Sequence, residues 1–175
     1  MKERLTEETM AMRAAREFYD GAYVNLGIGI PNLCAMFIPA DKDVVFQSEN
    51  GVLGYGELVT EDQIGLADIN YIDPGTRFFK PRAGMSFFDM DVSFDMIRGG
   101  RLDFTVLGAF QVSETGDIAN WTRSGVESLG IGGSMDLAVG ARKVIVTLGH
   151  TTTDGRPRVL KKCTYPLTGK GCVDL

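Results

Sequence analysis

A single carboxylate, Glu49, stands in the run Gln47-Ser48-Glu49-Asn50-Gly51, directly after the apolar stretch Val44-Val45-Phe46. Ligands of α/β proteins collect at the carboxyl ends of strands, and glycine lets a substrate approach side chain and backbone alike. A carboxylate in that place can attack an activated acyl group and hold it covalently. The plain alternative is a polar turn that Glu49 merely caps, and Asn50-Gly51 suits a tight turn equally well. A second candidate is Gly130-Ile131-Gly132-Gly133-Ser134, a glycine-rich turn opening a helix. Its backbone N–H groups can face a developing oxyanion. Three glycines before a helix also serve a tight chain path with no ligand.

Other residues carry weaker signals. Gly27-Ile28-Gly29 follows a strand and precedes a helix, but Pro31 and Asn32 stand where a dinucleotide fingerprint needs its third glycine. The pair fits close backbone packing, or a helix start facing a carboxylate. Arg98, before Gly99-Gly100, either answers a helix dipole or reaches an anionic ligand. His150 is the only histidine, with no nucleophile elbow to serve. Three cysteines, Cys34, Cys163 and Cys172, lack the spacing of a disulfide framework or a zinc site, so no metal is expected and a reducing cytoplasm fits.

The elements that must position these groups read as α/β. Met10, Ala14 and Phe18 are spaced as one face of a helix from Thr6 to Tyr19, ended near Gly21. Ala22 to Leu26 reads as a strand, followed by a helix with Pro31 in its first turn and Leu33, Met36 and Phe37 buried. After the Val44 to Phe46 strand and the Glu49 turn, Tyr55 to Ala83 reads as loop. Asp89 caps a helix through Arg98, with Val92, Phe94, Met96 and Ile97 as its apolar residues. Phe104 to Gly108 and Lys143 to Leu148 are apolar strands, and Ser134 is the expected N-cap of a helix from Met135 to Val139. Alternating strands and helices imply an open, mostly parallel sheet flanked by helices.

With 175 residues, 44% of them hydrophobic, the chain suits one domain spanning 1–175. A net charge of −5 without a cluster of Lys and Arg argues against nucleic acid or an anionic membrane as partner. Met1 to Glu8 lacks a signal-peptide core, and no apolar run is long enough to span a bilayer.

From Asn25 to Leu167 the chain resembles the β subunit of the family I CoA-transferases that act on 3-oxoacids. The resemblance rests on an ordered series: Asn25-Leu26-Gly27-Ile28-Gly29-Ile30-Pro31, the Gln47 to Gly54 run, Ser86-Phe87-Phe88-Asp89, and Met96-Ile97-Arg98-Gly99-Gly100. It continues with Gly108-Ala109-Phe110-Gln111-Val112, Gly116-Asp117-Ile118-Ala119-Asn120-Trp121, the Gly130 to Leu137 run, and Cys163-Thr164-Tyr165-Pro166-Leu167.

The resemblance implies a CoA-transferase-like fold, Glu49 as nucleophile and the Gly133 amide as oxyanion donor. Asn50, Gly51, Gly27, Gly29, Gly132 and Arg98 are carried as candidate substrate or CoA contacts. No cofactor is implied, because CoA arrives as part of the substrate. The implied partner is an α subunit, in an αβ or α2β2 assembly. The implied reaction moves CoA between succinyl-CoA and a 3-oxoacid such as acetoacetate, through an acyl-glutamyl anhydride and a glutamyl-CoA thioester. A 3-oxoadipate CoA-transferase, a non-catalytic assembly or CoA-binding module, and an acyl-CoA hydrolase stand as alternatives.

Two departures from the family are visible. Tyr71 to Arg82 replaces the usual segment, and its Arg77, Lys80 and Arg82 suggest either extra positive charge by the site or a solvated basic loop. Family β chains also continue for several tens of residues past Leu175, so the resemblance implies a missing C-terminal segment and an open sheet edge.

Overall fold

The computed structural model describes residues 4–123 and 130–175. The first three residues of the N-terminal stretch that lacks a signal-peptide core lie outside the described residues. Helix α1, Glu7–Ala15, begins where Thr6 accepts the Thr9 N–H at 3.2 Å and two acids occupy the first turn. It ends earlier than its periodicity predicts. Glu17 and Phe18 donate to carbonyls three residues back, which tightens the chain out of the helix and drives Phe18 fully into the core. The buried stripe is therefore Ala11, Ala14, Ala15 and Phe18, with Met10 only half-buried.

Strands β1, Tyr23–Leu26, and β2, Val45–Ser48, run parallel. Between them lie a short helix α2, Ile30–Leu33, and a 3-10 turn, Cys34–Phe37. Met36, expected inside, is exposed; Cys34 and Ala35 face the core instead, because the 3-10 turn advances the side chains faster than an α-helix. After β2 come β3, Val52–Leu53, and β4, Ser86–Phe87, both antiparallel, then α3, Met90–Arg98, and β5, Phe104–Gly108. Strands β6, Gln111–Ser113, and β7, Ile118–Ala119, precede α4, Ser134–Gly140, then β8, Lys143–Thr147, and β9, Val159–Leu160.

The main sheet has the order β4-β3-β2-β1-β5-β8, with β2, β1, β5 and β8 parallel. Alternate side chains feed two cores. Val24, Phe46, Phe104, Val106 and Ile145 pack beneath α1 and α2, while Leu107 and Val144 join Ile97, Leu137 and Ala138 of α3 and α4 on the other face. A second sheet, β7-β6-β9, is not foreshadowed in the sequence. Its strands are too short to show a period and depend on tertiary partners for their existence. Asp174 and Leu175 donate to the Val144 carbonyl, and the Leu175 carbonyl accepts from Val146, so these two residues line the β8 edge of the sheet.

Several local expectations change. The segment from Tyr55 to Ala83 is more than loop: it holds a 3-10 helix, Glu61–Leu66, and antiparallel bridges joining Leu58 to Phe79 and Ile72 to Phe78. An aromatic ladder runs from Phe46 to Tyr55 (5.5 Å), Phe79 (4.9 Å), Tyr71 (5.9 Å) and Phe87 (6.0 Å), fastening this arm to β2 and β4. Each such pair contributes about 0.5–1.5 kcal/mol beyond buried area. In α3 the buried residues are Ser93 and Ile97, and Val92 is exposed. Asp89 holds the N-cap position without a side-chain bond. Gly133, not Ser134, is the N-cap of α4; the Ser134 hydroxyl lies 3.3 Å from the Asn120 amide instead. Among the described residues no helix is long and apolar enough to cross a membrane.

Candidate active site

Strand β1 leads to β2 on one side, while β5 lies on its other side. The chain direction therefore splits at the carboxyl end of β1, the place where open α/β sheets leave a crevice for ligands. A cleft of about 640 Å³ opens there. Its wall includes Gly27, Glu49, Gly108, Trp121, Gly132 and Gly133.

Glu49 leaves β2 one residue past its end and is half-buried. Its carboxylate is held from below by a polar row crossing three strands. Gln47, Asn25 and Thr105 stand opposite one another in register, all buried. The Asn25 side-chain amide donates to Gln47 Oε1 at 2.8 Å and to Glu49 Oε2 at 3.3 Å. Gln47 Nε2 donates to Ser93 Oγ at 2.6 Å, and Ser93 donates to the Ser48 carbonyl at 3.2 Å. Buried amides need partners, so this chain sets the orientation of Asn25 and with it the carboxylate. Burial raises the Glu49 pKa above its ordinary 4.5, the Asn25 bond and the backbone act against it, and the Asp73 charge adds to the rise.

The turn itself admits only glycine at its apex. Gly51 has φ +105, and a Cβ there would lie 2.0 Å from the Phe88 carbonyl oxygen. Gly51→Ala is expected to destabilise the chain by about 1–3 kcal/mol and to move the Glu49 turn away from Phe88. Urea unfolding checks the first effect, and an unchanged midpoint would contradict this reading of the turn.

Gly133 approaches from the opposite wall. A Cβ on it would sit 3.2 Å from Phe94 Cζ, a tight approach, and 3.7 Å from Glu49 Oε1, an ordinary contact, so the turn lies against the carboxylate and Phe94 is what crowds this position. Asn120 ties this turn to its surroundings: its amide donates to Ser134 Oγ at 3.3 Å and to the Gly108 carbonyl at 3.1 Å, and its Oδ1 accepts from Thr168 at 2.6 Å. Trp121 is half-buried and lines the cleft, with Nε1 donating to the Leu167 carbonyl at 3.3 Å.

The other candidates divide. Gly27 and Gly132 line the cleft, and Gly29, with φ +87, caps α2 just outside it. Asn50 is exposed and pins the turn to the arm, accepting from Ser48 at 2.7 Å and donating to the Ile72 carbonyl at 2.9 Å. Arg98 lies outside the cleft lining; it pairs with Asp136 at 2.8 Å and covers the Phe94 ring, joining α3 to α4. Lys80 and Arg82 pair with Glu57 and Asp43 and line a different hollow, so their charge is not delivered to Glu49. Among the described residues no group of three or more His, Cys, Asp or Glu could hold a metal ion.

Asn25 and Gln47 stand out in the sequence only as parts of longer motifs, and their supporting role is missed there. The available signal was an amide in each of two otherwise apolar strands, which burial obliges to pair. Ser93 and Phe94 carried no comparable signal.

The sequence profile of the coenzyme A transferase family matches residues 7–175. The beta chain of a probable coenzyme A transferase of Bacillus subtilis is 48% identical over 168 residues, covering 96% of this chain and 76% of the relative. One of the subunits of the 3-oxoadipate CoA-transferase of Acinetobacter baylyi is 45% identical, covering 98% and 78%. The human mitochondrial succinyl-CoA:3-ketoacid coenzyme A transferase 2 is 47% identical over 99% of this chain, which spans 33% of that longer protein. In architecture the chain is similar to the acyl-CoA transferase YdiF of Escherichia coli O157:H7, with TM-score 0.71 and 21% identity, covering 98% of this chain and 33% of that one. It is also similar to the decarboxylase AibA/AibB, with TM-score 0.62 and 22% identity, covering 88% and 63%. The fold therefore hosts more than one chemistry, and the reaction must be argued from the site.

Proposed function

This chain belongs to the coenzyme A transferase family, and from that premise and the cleft around Glu49 we propose that it moves CoA from an acyl-CoA to a 3-oxoacid, with Glu49 as the nucleophile. The observation that carries the reading is the Glu49 carboxylate itself, held by Asn25 at the carboxyl edge of the parallel strands and faced by the Gly133 turn.

In this mechanism a Glu49 oxygen attacks the thioester carbonyl carbon. The Gly133 N–H donates to the oxyanion that forms, the C–S bond breaks, and CoA leaves as thiolate. The product is a mixed anhydride. The thiolate then attacks the glutamyl carbonyl, releasing the first acid as carboxylate and leaving CoA on Glu49 as a thioester. A second carboxylate attacks that thioester and expels the thiolate, which takes the new acyl group from the anhydride and restores Glu49. No proton or electron is consumed, so the scheme calls on neither metal nor prosthetic group. Water must be kept from the anhydride, or transfer becomes hydrolysis.

The names of the relatives support a substrate class. Succinyl-CoA with a 3-oxoacid is the first choice, in line with the name of the human relative, and 3-oxoadipate is the alternative, in line with the name of the Acinetobacter one; acetoacetate is our choice of acceptor for the first. Their names also support pairing of this chain, as the β member, with an α subunit. The expected kinetics of the pair are ping-pong: parallel double-reciprocal lines as acceptor is varied against acyl-CoA. Converging lines would count against a covalent intermediate. A kcat/KM for 3-oxoadipate far above that for acetoacetate would move the assignment to the alternative acceptor.

A further inference from the structure

The polar row beneath Glu49 contains two buried atoms that its hydrogen bonds leave over. Among the described residues neither Asn25 Oδ1 nor Thr105 Oγ1 has a hydrogen-bond partner, although both residues are fully buried. They belong to adjacent parallel strands and stand directly opposite each other, Asn25 on β1 and Thr105 on β5. Both side chains lie on the face of the sheet that α3 and α4 cover. Asn25 is there because it bonds Gln47, which reaches Ser93 of α3, and Thr105 because it shares its side of β5 with Leu107. A buried carbonyl oxygen beside a buried hydroxyl, each unpaired, is the setting in which a single internal water bonds to both.

The direction of the row decides what Asn25 must receive. The Ser48 carbonyl can only accept, so Ser93 gives its proton there. The Ser93 oxygen then accepts from the Gln47 amide nitrogen, and Gln47 turns its own oxygen toward Asn25. Asn25 answers with its amide nitrogen, which serves both Gln47 Oε1 and Glu49 Oε2. Its oxygen is thereby directed away from these two groups and needs a donor. Thr105 is the polar residue opposite it on the strand at its other side. In the flipped amide, Oδ1 would face Gln47 Oε1 and Glu49 Oε2, three acceptors with no proton among them. The observed orientation leaves no atom unpaired only if a proton reaches Oδ1 from the Thr105 side.

We propose that Thr105 is a positioning residue for the nucleophile: its hydroxyl, through one bridging water, serves Asn25 Oδ1 and so keeps the Asn25 amide turned toward Glu49. Thr105 is outside the cleft lining, so it acts through Asn25 and not on substrate. As a role in catalysis this rests on the CoA-transferase reading above, whereas the hold on the Glu49 carboxylate does not need it. Asp73 and Tyr55, both of the Tyr55 to Ala83 arm, are the titratable groups that act on Glu49 among the described residues, and substitutions at Thr105 leave both in place.

Thr105→Val deletes the hydroxyl at nearly constant shape, and Thr105→Ser keeps it. In the complex with the α subunit, Thr105→Val is expected to lower kcat about tenfold with KM for the acyl-CoA unchanged, and to move the acid limb of the pH–rate profile to higher pH. Thr105→Ser should stay near wild type. Combined with Asn25→Ala, Thr105→Val should add no further shift of that limb, because the hydroxyl acts through the residue already removed. The hold on the carboxylate is also read without turnover, from the Tm that the same complex gains on Glu49→Gln. A weaker Asn25 bond lets burial raise the folded Glu49 pKa further, and the stability carried by the protonated form is lost as pH rises through it, so this gain at pH 7 should be larger beside Thr105→Val. An acid limb and a Glu49→Gln gain that both stay in place in Thr105→Val would overturn the proposal, even if Tm falls, since the hydroxyl would then serve packing alone. Thr105→Ser as impaired as Thr105→Val would overturn it too, by assigning the effect to side-chain packing. A wild-type complex that transfers no CoA, together with a larger Glu49→Gln gain in Thr105→Val, would sink the transferase reading and leave the positioning of the carboxylate standing.

Discussion

Glu49→Gln is expected to lower transfer by on the order of 10^4-fold or more, and to make the folded chain more stable at neutral pH. The first effect follows because an amide oxygen cannot form the anhydride. The second follows from linkage. Burial raises the folded pKa of Glu49 above the unfolded value of 4.5, so the stability carried by the protonated form is present below 4.5 and is lost as pH rises through the folded pKa. Glutamine never ionises and does not suffer that loss. The variant's gain in Tm should therefore be clear at pH 7 and shrink toward pH 4, where the wild-type carboxyl is protonated folded and unfolded. A Tm gain that grows on acidification would have the wrong sign and would contradict the burial argument. The same penalty explains why such a carboxylate persists only where chemistry needs it.

Asn25→Ala should produce the next largest loss. It removes the donor to Glu49 Oε2 and leaves Gln47 Oε1 buried without its 2.8 Å partner, at about 1–3 kcal/mol of stability. Misorienting the nucleophile costs roughly 10²-fold in kcat/KM. The pH dependence separates position from charge. The Asn25 bond acts to lower the Glu49 pKa, so its removal lets burial raise that pKa further, and the acid limb of the pH–rate profile moves to higher pH. Part of the loss should therefore be recovered at alkaline pH, with a residue due to geometry. An acid limb that stays in place while activity falls would show that Asn25 only supports the fold.

Glu49 could be found in the sequence because its surroundings are local: an apolar strand, a carboxylate and a glycine whose φ of +105 no other residue takes without strain. Strands β1, β2, β5 and β8 were legible for the same reason, since burial on both faces leaves a run of apolar residues. The second sheet and the packed arm from Tyr55 to Ala83 were not, because two-residue strands and a ladder of separated aromatics exist only once distant segments meet. Charge was the least legible property. Arg98, Lys80 and Arg82 looked available to an anionic ligand, and only the fold shows that Asp136, Glu57 and Asp43 pair with them. Asn25 is the middle case. Its burial with Gln47 and Ser93 turns an amide in an apolar strand into the support for the nucleophile.

The central claim is covalent capture of CoA by Glu49, and it can be read directly. The chain, in complex with its α subunit, is incubated with acetoacetyl-CoA in the absence of acceptor acid and analysed by intact and peptide mass spectrometry. The expected result is CoA attached as a thioester to the peptide containing Glu49, absent in Glu49→Gln. A complex that demonstrably binds the acyl-CoA yet carries no adduct, or carries it on another peptide, would contradict the assignment of Glu49 as the nucleophile.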